Sequence, residues 1–196
     1  FSRMSNNKAI GVCAVQYGPG VENGFGAIAQ AYADASNILV IPGGYDSHET
    51  GVAPNFQAVE NLRSVTKAVM RVNYPDRTAL MLNRAFGLLR SGKPGPVVLE
   101  IPDDLMTAEA GRVPDDYASI QFSRSLADPS EVDTVVEAIL GAERPVFIAG
   151  RGILHSGAWT ELKILAELLH VPVMTTLAGK SSFPEDHPLS LGTGGL

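Results

Sequence analysis

The chain has 196 residues, 45% hydrophobic and 18% charged, a globular composition long enough for one large domain or two small ones, of which two is the better reading. Its formal net charge of -6 is scattered rather than blocked, so no basic face is offered to a nucleic-acid backbone or an anionic membrane. The single cysteine, Cys13, excludes an intrachain disulfide and a cysteine-based metal cluster. No run approaches the ~20 apolar residues that span a bilayer, and nothing reads as a signal peptide, so a soluble, cytoplasmic protein is expected.

Residues 10–15 form a short apolar run closed by Gly18-Pro19-Gly20, which predicts a buried strand ending in a tight turn, with Cys13 as a small buried residue. Phe25, Ile28, Ala29 and Tyr32 then recur at helical spacing and predict an amphipathic helix over 21–35. The next strand is expected at 38–41. Such a strand-helix-strand unit normally closes a parallel sheet through a right-handed crossover. Pro75-Asp76 opens a further helix to about residue 90, and 97–101 reads as another buried strand, with Glu100 toward its end taken as a structural acid. Periodicity fades after Pro102. The expected division is therefore a first domain over 1–105, a linker over 106–129 and a second domain over 130–196.

In the second domain Asp128-Pro129 is a helix start, with Asp as N-cap and Pro at the first helical position, and Val132, Val135, Val136, Ile139 and Leu140 mark its apolar stripe. A strand is expected at 145–149. Leu162, Leu165, Ala166 and Leu169 mark a helix that Trp159 begins, and 171–175 a strand. The fold class that results is α/β: parallel sheets flanked by helices in two consecutive Rossmann-like regions, the second incomplete. Both ends of the chain read as cuts.

Gly18-Pro19-Gly20, between a strand and a helix, suits a ligand at a helix N-terminus and equally suits an ordinary turn. Gly150-Arg151-Gly152 could open a dinucleotide fingerprint, yet His155 holds the place of the third glycine and no acid follows the next strand to hold a ribose. His48, His155, His170 and His187 are spread apart without metal-ligand spacing. No serine sits in a Gly-x-Ser-x-Gly elbow.

Taken in order, 11–32 (GVCAVQYGPGVENGFGAIAQAY), Phe56-Gln57, Thr66-Lys67, Gly92-Lys93-Pro94-Gly95-Pro96-Val97, Ile101-Pro102-Asp103-Asp104, Arg144-Pro145-Val146, Gly150-Arg151-Gly152, Thr176-Leu177 and Phe183-Pro184-Glu185-Asp186-His187-Pro188 resemble the acetolactate synthase branch of the thiamine-diphosphate enzymes. The resemblance implies most of a pyrimidine-binding domain followed by part of a central domain. It implies thiamine diphosphate as cofactor and electron sink, a 2-keto acid as substrate, and a homodimer or homotetramer whose sites are shared between subunits. The activating glutamate would precede Phe1, and Mg2+ would be bound by a domain beyond Leu196, with no metal ligand in this chain.

The positions carried over by the resemblance are Gln16, Gly18, Pro19 and Asn23 toward the cofactor, Phe56, Gln57 and Lys67 toward the substrate, and Gln57 as the catalytic candidate. Gln16 stands where the synthases usually have Thr. Ala58 replaces the usual Glu after Phe-Gln, and Pro54-Asn55 replaces the usual Asp-Ala before it, so substrate choice is open to difference. FAD in the central domain is left open, at Gly150, Arg151, Gly152, Thr176 and Leu177, because Arg151 interrupts the glycine run of flavin-binding members. The expected activity is decarboxylation with carboligation, two pyruvates giving 2-acetolactate and CO2. The alternatives are a decarboxylase or lyase of the oxalyl-CoA, benzoylformate, glyoxylate or sulfoacetaldehyde type, or a non-catalytic nucleotide-binding α/β module.

Overall fold

Short β-branched runs separated by amphipathic helices pair in parallel, because each connection must cross a sheet face before the next strand begins. The computed structural model describes residues 1–110 and 126–195. The chain divides into two units, Phe1–Ser125 and Leu126–Leu196. Most of the linker expected at 106–129 lies outside the described residues.

In the first unit the strands are β1 (Gly11–Val15), β2 (Ile38–Gly44), β3 (Ala68–Arg71) and β4 (Val97–Pro102), joined in the order β1-β2-β4-β3 with every pairing parallel. Register runs Val15↔Pro42, Gly44↔Pro102 and Arg71↔Glu100, which brings the carboxyl ends of all four strands to one edge. Helix α1 (Pro19–Ala33) begins two residues before the expected start because Pro19 occupies its first turn, and it buries Val21, Ile28 and Ala31. On this face Val21, Ile28, Val40, Leu62 and Val98 form one apolar cluster, with Ala58 of the short α2 (Ala58–Asn61). The opposite face packs Leu39, Val97 and Leu99 against Ala85 and Leu89 of α3 (Thr78–Leu89). Each such large side chain contributes about 1.5–3 kcal/mol by burial.

The helix expected over 75–90 divides into a 3-10 turn, Pro75–Arg77, and α3. The expectation of a buried first strand with a buried Cys13 is corrected. β1 lies at the sheet edge among the described residues, and Val12, Cys13 and Ala14, whose side chains alternate between the two faces, are exposed because the described elements leave that edge of the sheet uncovered. A brief α4 (Asp103–Met106) follows β4.

The second unit holds α5 (Pro129–Gly141), β5 (Phe147–Ala149), α6 (Arg151–Ser156), α7 (Trp159–Leu169), β6 (Val173–Thr175) and β7 (Ser190–Thr193), its sheet parallel in the order β5-β6-β7. Asp128 caps α5, its carboxylate accepting from the Ser130 N–H at 2.9 Å. Ala149, Ala166, Val173 and Phe183 make the core. The stripe on α5 is apolar as expected, but it does not face that core: Val132, Val135, Val136 and Leu140 are exposed. They line a groove of about 670 Å³ with Leu165, Leu168 and Leu169. The sheet face is already occupied by Leu162 and Ala166 of α7.

Candidate functional site

In open parallel sheets ligands bind outside the carboxyl ends of the strands. At that edge of the first sheet β1 runs through Gln16 and Tyr17 into Gly18, which caps α1 with φ 57° and ψ -113°, a conformation that strongly favours glycine. A Cβ at Gly18 would also lie 2.8 Å from the Tyr45 hydroxyl. Tyr45 follows β2, and its ring stands 4.9 Å from that of Tyr17 at 55°. Beside this pair Gln16, Pro19 and Asn23 are exposed, Pro19 and Asn23 one turn apart on α1. The side-chain amides of Gln16 and Asn23 take no protein hydrogen bond among the described residues. Gln16, Gly18, Pro19 and Asn23 are thus brought together, as one wall with unused amide donors and acceptors around a proline ring.

Phe56 and Gln57 close the connection from β2 to α2. Phe56 packs against the apolar cluster containing Val21 and Val40 rather than standing free. Gln57 is turned into its own loop: its Oε1 accepts from the Gly51 N–H and its Nε2 donates to the Asn55 carbonyl, both at 3.2 Å. Lys67 lies apart from the others. It precedes β3, and so sits at the amino edge of the sheet, where its backbone N–H donates to the Pro96 carbonyl at 2.8 Å. Its ammonium donates to the carbonyls of Leu88 and Ser91 at the carboxyl end of α3. A cation there meets the negative end of the helix dipole, while burial pulls the ammonium below its ordinary pKa.

Sequence reasoning passed over the tyrosine pair and Arg71. Arg71, at the carboxyl end of β3, donates through Nε to the Glu100 carboxylate and through Nη1 to Thr50 Oγ1 at 3.0 Å. Glu100 is 2% exposed, as a structural acid should be, and a buried carboxylate requires such a partner. Neither tyrosine nor arginine sits at a spacing that marks a site, and only the sheet register, Arg71↔Glu100, creates the pair.

The second sheet gathers its own candidates at its carboxyl edge. Gly150 caps α6, and Thr176 begins a 3-10 turn, Leu177–Gly179, with its N–H bonded to the Ala149 carbonyl at 3.0 Å. A Cβ at Gly150 would lie 3.9 Å from Thr176 Oγ1, so Gly150, Arg151, Gly152, Thr176 and Leu177 share one rim. Their polar atoms turn inward: Thr176 Oγ1 accepts from the Gly179 N–H at 3.1 Å, and Arg151 Nε contacts His155 Nε2 at 2.9 Å. Burial, and secondarily the Arg151 charge, hold the His155 pKa below its ordinary value.

Residues 1–68 match the family model for the thiamine pyrophosphate enzyme N-terminal TPP binding domain, and residues 132–196 match that for the thiamine pyrophosphate enzyme central domain, together more than half of the chain. The chain belongs to the thiamine pyrophosphate enzyme family. Among its relatives the "Probable acetolactate synthase large subunit" of Methanocaldococcus jannaschii is 34% identical over 100% of this chain and 34% of its own length. The glyoxylate carboligase of Escherichia coli O157:H7 is 36% identical over 95% of this chain and 32% of its own length. The acetolactate synthase large subunit of Corynebacterium glutamicum is 33% identical, with 95% and 30% covered. The chain therefore spans about a third of the length of these curated relatives. A candidate thiamin diphosphate-dependent enzyme from Mycobacterium smegmatis shares the fold, with a TM-score of 0.81 at 22% identity over 98% of this chain and 37% of that one.

At the Gln16–Asn23 wall, inside the segment matched by the N-terminal TPP binding domain model, Gly18 lets the Tyr45 hydroxyl pack against the backbone, and the exposed Gln16 and Asn23 side-chain amides have no protein hydrogen-bond partner among the described residues. Among the described residues no group of three or more His, Cys, Asp or Glu is placed to hold a metal ion. No helix of the described residues is long and apolar enough to cross a membrane.

Proposed function

We propose that this chain supplies the pyrimidine-side wall and part of the central region of a thiamine-diphosphate enzyme that decarboxylates a 2-keto acid and joins the remaining unit to a second carbonyl, most like acetolactate synthase. The observation that carries the reading is the Gly18-Pro19 turn with the unpartnered amides of Gln16 and Asn23, inside the segment matched by the cofactor-binding model. Thiamine diphosphate, when bound, supplies the electron sink for the decarboxylation. In this reading Pro19 packs against the pyrimidine, Gln16 and Asn23 hydrogen-bond to its polar edge, and Phe56 and Gln57 border the substrate. Mg2+ and the activating glutamate are assigned to residues outside this chain, and the site is completed by a second copy in a homodimer or homotetramer. FAD at the Gly150 and Thr176 rim is left open and no step passes through it, since the Thr176 hydroxyl and the Arg151 Nε are engaged within the rim itself.

Glyoxylate in place of pyruvate is the second reading, favoured by the 36% identity to a glyoxylate carboligase. The test is the full-length protein containing these residues, given thiamine diphosphate, Mg2+ and either pyruvate or glyoxylate. CO2 release with a condensed product is expected from one of them, and Asn23→Ala should weaken thiamine diphosphate binding roughly tenfold, about one hydrogen bond to a bound group. Thiamine diphosphate binding absent from calorimetry, together with no CO2 from either acid, would refute the proposal.

A further inference from the structure

The connection from Tyr45 to Phe56 is long for a loop within an α/β unit, and a long loop holds one position only where side chains tie it down. Two ties are present. Asp104 of α4 accepts from both the backbone N–H and the hydroxyl of Ser47, each at 3.0 Å. Farther along, Arg71 Nη1 donates to Thr50 Oγ1 at 3.0 Å while its Nε is committed to Glu100. The next residue, Gly51, donates its N–H to Gln57 Oε1 at 3.2 Å, and Gln57 Nε2 returns to the Asn55 carbonyl. A continuous path thus runs from the buried acid of β4, through Arg71 of β3, into the loop and on to the Gln57 side chain.

We infer that Arg71, oriented by Glu100, is a positioning residue that sets the 46–57 loop and hence the placement of Phe56 and Gln57. The guanidinium suits this task because its nitrogens lie in one rigid plane: with Nε fixed on a carboxylate, the direction of Nη1 is fixed as well. A lysine at 71 could satisfy Glu100 or reach Thr50, but as a point charge it would not fix one by the other. Glu100 is in turn held in place. It is 2% exposed, and Gly44 of β2 leaves room for it, since a Cβ at Gly44 would lie 3.1 Å from Glu100 Cγ and 3.3 Å from its Oε1. Among the described residues no hydrogen bond joins Arg71, Glu100 or Thr50 to Gln16, Pro19 or Asn23, so the effect on the reaction runs through the loop and rests on the proposed function only for what the loop faces.

The test uses the full-length protein and the exposed Thr50, whose replacement spares the core. Thr50→Val keeps the shape and removes the acceptor, while Thr50→Ser restores it. Amide hydrogen exchange over 46–57 should accelerate roughly three- to tenfold in Thr50→Val, the range expected for one lost charge-assisted hydrogen bond at a partly solvated site, with β4 unaffected. KM for the 2-keto acid should rise by a similar factor while thiamine diphosphate affinity and melting temperature hold, and Thr50→Ser should return both readouts to the parent values. Unchanged exchange overturns the inference, as does faster exchange with an unchanged KM, or a Ser variant that fails to rescue. If the parent turns over no 2-keto acid, the functional reading fails by itself, and the exchange measurement alone decides whether Arg71 holds the loop.

Discussion

Gly179→Ala and Gly152→Ala, two identical changes in one unit, should act in opposite directions. At Gly179 an added Cβ would stand 2.4 Å from the Ala149 carbonyl oxygen and 2.8 Å from the Gly150 carbonyl carbon. These are backbone atoms of the β5 end, and no side-chain rotation can yield to the intruding methyl. The 3-10 turn Leu177–Gly179 must then lift away, weakening the bonds from the Thr176 N–H to the Ala149 carbonyl and from the Gly179 N–H to Thr176 Oγ1. Overpacking of about 1–3 kcal/mol with up to two hydrogen bonds of about 1 kcal/mol each gives a loss of about 1–5 kcal/mol. At Gly152, inside α6, nothing lies within 4 Å of the added carbon, so alanine should stabilise by about 0.5–1 kcal/mol through its better helix propensity. The assay is urea unfolding followed by fluorescence of Trp159, the single tryptophan of the chain and the first residue of α7. A Gly179→Ala midpoint indistinguishable from wild type, or equal shifts for the two variants, would refute the reasoning.

Asn37→Ala should cost about 1–3 kcal/mol, because Asn37 Oδ1 accepts from the buried Gly95 N–H at 3.0 Å and its loss leaves that donor unmet; a denaturation midpoint within error of wild type would contradict it. Lys67 should make stability rise with pH in the alkaline range. Burial sets its folded pKa below the ordinary 10.5, so between those two values the unfolded chain binds more protons than the folded one. Lys67→Met should flatten that slope, and parallel pH profiles for the two proteins would count against it.

The sequence made the fold class legible because hydrophobic period and punctuation are local: Gly18-Pro19 and Asp128-Pro129 open helices where their chemistry says they must. β3 was missed, since Ala68–Arg71 is short and reads as strand only once β4 pairs with it. β7 and α6 escaped for the same reason of length. Exposure was the other failure. Periodicity identifies which side of a segment is apolar, as on α5, and alternation or its absence marks a strand, as in β1, but neither says whether anything lies against it. At the candidate site, Gln16, Gly18, Pro19 and Asn23 lie within one turn and its helix, so their proximity was legible in the sequence, while the role given to them came from the family resemblance. The Arg71, Glu100 and Thr50 triangle was not legible, for its members come from three segments that only the sheet order brings together.

The strand order β1-β2-β4-β3 also imposes a schedule. Among the described residues β3 pairs with β4 alone, so Ala68–Arg71 is synthesised before the strand it pairs with. At roughly 5–20 residues per second, the intervening stretch through Val97–Pro102 takes a few seconds to arrive. Through that interval Arg71 has no Glu100 to meet. The loop bearing Phe56 and Gln57 would accordingly be among the last parts of this unit to settle, and the non-local parallel pairing on which it depends is intrinsically slow to form.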